Sequence, residues 1–145
     1  MINLSLQVFC NRIVAAGAIT AADVVALTRH VLPDGLTSRD EADMLIALDR
    51  VVTATDGAFG DYLTAAVVDF AVWGERPTGY INTELACWLV SSLRAGSGPS
   101  PLAARIAREV VREAQVSDEA LIAFALSAKS VNQYTQIDRS FVKAA

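Results

Sequence analysis

Gly17-Ala18-Ile19-Thr20, Gly35-Leu36-Thr37, Gly57-Ala58-Phe59-Gly60 and Gly79-Tyr80-Ile81-Asn82 repeat one order of residue types: a glycine, an apolar residue, a small or polar residue, and then a helical pattern. The glycines stand 18, 22 and 22 residues apart. A glycine past a helix end takes the left-handed conformation, and the apolar residue forms the first half of a hydrophobic staple. Thr or Asn then accepts from the N–H groups of the next first turn. Each stretch reads as helix, tight corner, helix. Val116-Ser117-Asp118-Glu119 gives a further start without a glycine, with Leu121 one turn in, opposite Val116.

Outward from these corners the apolar spacing is helical. Met44, Leu45, Leu48, Val51 and Val52 form one stripe with Arg39, Asp43 and Arg50 behind it, and Leu85, Trp88, Leu89 and Leu93 form another. Leu102, Ile106, Val110 and Ala114 follow Pro101, which suits the first position of a helix. Residues 120–128 are apolar nearly all round, which predicts a central helix. The pattern predicts helices over 4–16, 20–32, 37–54, 60–73, 82–95, 101–115, 117–130 and 136–143, with no strand. The expected fold is all-α, a single compact bundle of seven or eight short helices over residues 1–145. The Gly- and Ser-rich stretch 95–101 reads as a linker.

Composition narrows the function. The chain has 145 residues, 53% of them hydrophobic and 19% charged, enough to bury a core without disulfides or a structural metal. A formal net charge of -4 disfavours phosphate-tracking surfaces, so nucleic acid is not an expected partner. No basic segment precedes an apolar run at the start, and Asp23 and Asp69 interrupt the most apolar stretches. A cytoplasmic protein without a membrane span is expected. Cys10 and Cys87 form no Cys-x-x-Cys pair and are expected as buried free thiols.

Asp34, Asp40, Glu41 and Asp43 gather at one corner, where a turn and a helix start bring oxygens together for a hard cation. Gly35 and Glu41 have EF-hand spacing, but His30 and Leu32 occupy positions that would have to be ligands, so the stretch does not read as a functional EF-hand. A structural role accounts for most of these acids: Thr37 caps the helix, and Asp40 and Glu41 meet its positive end. Asp69 sits at helical spacing among apolar residues, and His30 is the only histidine. These two are the candidates for chemistry in an internal pocket. No nucleophile elbow and no Gly-Lys-Ser/Thr loop occurs. Arg105, Arg108 and Arg112 share a face with Glu109 and Glu113, as an ion-paired solvated surface does. The segment Trp73-Gly74-Glu75-Arg76-Pro77-Thr78-Gly79-Tyr80 combines two aromatics, an ion-pair candidate and a proline. Trp73, Glu75, Arg76 and Tyr80 are the candidate partner-binding residues, since aromatics and Arg anchor protein interfaces.

The stretch Asp34-Gly35-Leu36-Thr37-Ser38-Arg39-Asp40-Glu41-Ala42, followed by Leu45, Leu48 and Val51, resembles the tellurite-resistance TerB-like family, with one residue fewer between Gly35 and the apolar position. The resemblance implies a helical bundle linked to stress or tellurite response, acidic surface residues that bind divalent cations, and no established enzymatic reaction. Asp34, Asp40 and Glu41 are the positions that map onto the motif. The expected function is a non-enzymatic, stress-response-type helical module that binds a partner protein, a second copy of itself or a divalent cation, with no other cofactor. The alternative is a small enzyme using Asp69 or His30.

Overall fold

The computed structural model describes residues 3–96 and 99–127. Helix α1 spans Leu4–Ala16, and α2 spans Ala21–Ala26 before widening into a π turn over Leu27–Val31. Helix α3 is Arg39–Val51. Helix α4 is Gly57–Val68 and continues as a π turn over Asp69–Gly74. Helices α5, Thr83–Leu93, and α6, Pro101–Glu113, follow. Residues 119–127 are helical and belong to α7. The expected helix at 136–143 and the last residues of the one at 117–130 lie outside the described residues. The chain is an all-α bundle.

Side-chain caps start these helices. Thr20 and Asp23 form a reciprocal capping box, Asn82 Oδ1 accepts from Leu85 N, and Ser100 Oγ accepts from Ala103 N. Three starts differ from the sequence expectation. Ser38, not Thr37, caps α3, and Thr37 instead donates both its N–H and its hydroxyl to Glu41 Oε1. Asp56 caps α4, so the helix begins at Gly57, and Gly60 lies inside it, facing Leu102 of α6. Asp118 Oδ2, not Ser117, accepts from Ala120 N, and Val116 is 55% exposed, so it forms no staple with the fully buried Leu121.

The corners also contain short strands that helical periodicity does not show. Ala18–Ile19 (β1) pairs in parallel with Ala54–Thr55 (β2), and Tyr80–Ile81 (β3) pairs in parallel with Val116–Ser117 (β4). In the first pair Asp56 N donates to Ile19 O at 3.0 Å; in the second, Asp118 N donates to Ile81 O at 2.8 Å. Gly17 and Gly79 enter their corners with φ of 76° and 83°, a conformation that costs a residue with a Cβ roughly 1–2 kcal/mol. Each of these matches lies 62 positions from its counterpart. So do the starts of α2 and α5, of α3 and α6, and the capping serines Ser38 and Ser100.

The bundle is therefore two copies of one unit: a helix, a Gly corner, a helix, a Ser-capped helix, a second corner pairing with the first, and a closing helix. The units overlap. The first half of α4 closes the first unit, and its second half opens the second, as α1 opens the first. Helix α4 consequently packs against α2 and α3 on one side and against α6 on another. Phe59, Leu63, Val67, Phe70, Ala71 and Val72 are all buried along it. By contrast α1 buries the single stripe Leu6, Phe9 and Ile13. One continuous core runs through both units, from Leu6 and Leu45 to Leu89, Ile106 and Leu121.

Candidate functional site

Helices α3 and α5 begin, and α4 and α6 end, at one end of the bundle, so the Asp34 corner and the 73–80 loop lie side by side there. Arg39 joins them. Its Nε donates to Glu75 Oε1 at 2.8 Å and its Nη1 to Glu84 Oε1 at 3.0 Å. Its guanidinium also stands 5.4 Å from the centre of the Trp88 ring. These carboxylates raise the Arg39 pKa further, keeping the cation fixed in charge. Trp88 in turn donates from Nε1 to Asp43 Oδ1 at 2.9 Å and meets Phe70 edge-on. Loop 73–80 is thus tied to the start of α3 by the Arg39–Glu75 ion pair, while Glu84 and the Trp88 ring hold the same guanidinium against α5.

The clamp divides the partner-binding candidates. Glu75 is spent on Arg39 and is a positioning residue of the loop. Trp73, Arg76 and Tyr80 are exposed. Gly79 N donates to Val72 O at 2.7 Å, which holds Tyr80 close to the end of α4 where Trp73 sits. Tyr80 and Val116 are paired across β3 and β4, and they are 45% and 55% exposed. The residues of that pair that point inward differ completely: Ile81 is 2% exposed. Val116 is the residue of this surface that the sequence did not flag, because its neighbourhood to Tyr80 depends on a strand pairing 36 residues apart.

The acids of the Asp34 corner separate in the same way. Asp34 and Asp40 are exposed, whereas Glu41 is buried. Both Glu41 oxygens are occupied: Oε2 accepts from Asn3 Nδ2 at 2.9 Å, and Oε1 accepts from Thr37 N at 2.7 Å and Thr37 Oγ1 at 2.9 Å. Burial alone would raise its pKa, but the bonds from Asn3, Thr37 and Ser38 outweigh it and hold the carboxyl below its ordinary value. The expected cation set of Asp34, Asp40 and Glu41 is not brought together. Among the described residues no group of three or more His, Cys, Asp or Glu side chains is arranged to hold a metal ion. Glu41 instead ties α1 to the corner ahead of α3. The buried Tyr62 hydroxyl feels its charge and, with burial first, is pushed up in pKa.

Asp69 and His30 line neither the groove between α3 and α5 nor the one between α4 and α6. Both are exposed, Asp69 on the outside of the π turn that continues α4 and His30 in the last turn after α2. Neither side chain is buried, as a residue of the alternative's internal pocket would be. Cys10 is half-buried, which raises its pKa, but Cys87 is exposed, because the outer side of α5 at that point faces away from the core. On α6, Arg105 pairs with Asp61 of α4 at 2.9 Å and Arg112 with Glu109 at 3.2 Å, as an ion-paired surface should. No helix of the described residues is long and apolar enough to cross a membrane. Comparison with protein-family models, with characterised proteins and with solved structures finds no match for the chain.

Proposed function

We propose that the protein is a non-enzymatic helical module that recognises a partner protein through the exposed corner formed by Trp73, Arg76, Tyr80 and Val116. One observation carries this reading. The two units share a frame, and the positions paired as Tyr80 and Val116 in the second are Ala18 and Ala54 in the first. The frame closes with alanine at both positions, so the larger side chains are not needed for closure, and they point outward. A large aromatic held rigidly at the surface, with an Arg beside it, is the composition of a binding hot spot. The Arg39 clamp supplies the rigidity, which lowers the ordering cost of association.

The resemblance of residues 34–42 to the TerB-like family supports a stress-response setting for such a module. The divalent-cation half of that reading has less support, because Glu41 is fully engaged within the fold.

Replacing Tyr80 with a photo-crosslinking aromatic amino acid in cells tests the proposal, with the same residue at Ala18 as the matched control. A discrete adduct is expected from position 80 and none from position 18. Adducts at both positions, or at neither, would remove the corner as the recognition surface.

A further inference from the structure

We propose that the outer face of α1 is the contact between two copies of this chain, packed α1 against α1 about a twofold axis. This surface is made of other residues than the Trp73 and Tyr80 corner and goes beyond the reading above. Helix α1 opens the first unit as the second half of α4 opens the second. The α4 segment is buried on two sides, at Val67, Phe70, Ala71 and Val72, because the first unit lies behind it. Helix α1 carries apolar residues on its outer side as well, but nothing among the described residues covers them: Leu4 is 71% exposed and Val8 68%. They lie one turn apart on one stripe, with Ala15 further along it.

Charge selects the occupant. The chain is acidic, with a formal net charge of -4, so two copies repel over most of their surfaces. No Asp or Glu precedes Asp23, and α1 carries a single charge, Arg12, which Asp23 of the same chain neutralises at 3.1 Å. Each of helices α2 to α6 carries at least one acidic residue. The α1 face is therefore where two copies meet without like-charge repulsion, and a face that meets its own image is what a twofold dimer requires. A helix of 13 residues is about 20 Å long, so the contact falls at the low end of specific interfaces, about 1,000 Å² in total. Association should be weak and dependent on concentration.

Light scattering coupled to size exclusion, run on the full chain from about 10 µM to about 1 mM to span the weak range expected of so small an interface, tests this. The mass should rise from 15.4 kDa towards twice that value. Val8→Asp and Leu4→Lys should each hold it at the single-chain mass while keeping the wild-type circular dichroism spectrum. Tyr80→Ala should leave the dimer intact. A wild-type chain that stays single throughout, a Val8→Asp protein that still dimerises, or a dimer lost with Tyr80→Ala would each overturn the proposal. So would unfolding of both α1 variants, since it would mean that this chain itself covers the face.

Discussion

Val67→Asp is expected to unfold the protein, whereas Val8→Asp leaves it folded. Both positions are valines on helices that open a unit, and sequence hydropathy does not distinguish them. Val67 is fully buried in the shared helix, and Val8 is 68% exposed on the unshared one. A carboxylate at 67 would be buried without a partner, at a cost of more than about 4 kcal/mol, against a total stability of roughly 5–15 kcal/mol for a domain. At 8 the same change costs under about 1 kcal/mol, the loss expected at an exposed helical site. Urea titrations of the two variants followed by circular dichroism would give the answer. Equal losses would mean that α4 is not shared between two units.

Glu41 carries the second large effect. Glu41→Ala leaves the Asn3 amide and both Thr37 donors without their acceptor, which should cost about 2–3 kcal/mol. Glu41→Gln should also destabilise, despite its near-identical shape. An amide presents N–H groups to Asn3 Nδ2, and Asn3 cannot turn over to suit it because its Oδ1 caps α1 through Leu6 N. The folded-state pKa of Glu41 lies below that of the unfolded residue, about 4.3. Its contribution is therefore complete above that value and lost as pH falls through the folded one. Asp23, held low first by the Thr20 backbone N–H, acts with the same sign. The wild type should lose more stability between pH 7 and pH 3 than Glu41→Gln does; identical losses would show that Glu41 is not ionised in this nest.

The helices were legible in the sequence because their apolar stripes and caps are local. Thr20, Asn82 and Pro101 mark their helix starts, and the stripes of α3, α5 and α6 face the core except at Val51, which is 58% exposed at the end of α3; residues 120–127, expected at the centre, instead leave Ile122 and Leu126 exposed. The one-residue shift from Thr37 to Ser38 has a physical cause: Thr37 has a better use as a donor to Glu41 than as a cap. The strands were invisible because two residues cannot show an alternation, and each finds its partner 36 residues away. The duplication is hidden in the sequence for a related reason. It lies in cap types and corner geometry; some core positions keep their residue across the two units, as Ile19 and Ile81 or Leu27 and Leu89 do, but others change, as Phe59 and Leu121 do after the equivalent caps Asp56 and Asp118. At the corner, residues 73–80 stood out by composition, but only the fold separates Glu75, which is consumed by Arg39, from Trp73, Arg76 and Tyr80, which are not. The Asp34 corner reads as a cation site when its acids are counted and as a helix junction once their hydrogen bonds are followed.

The proposed recognition role requires that Tyr80 and Val116 enlarge the second corner on a frame that does not need the enlargement. The denaturant midpoint of the double variant Tyr80→Ala/Val116→Ala, which gives the second corner the alanines of the first, tests it most directly. Because both side chains point outward, unfolding free energy should change by less than about 1 kcal/mol. A loss of about 2 kcal/mol or more would place Tyr80 and Val116 among the residues that hold the fold together and would rule out that role.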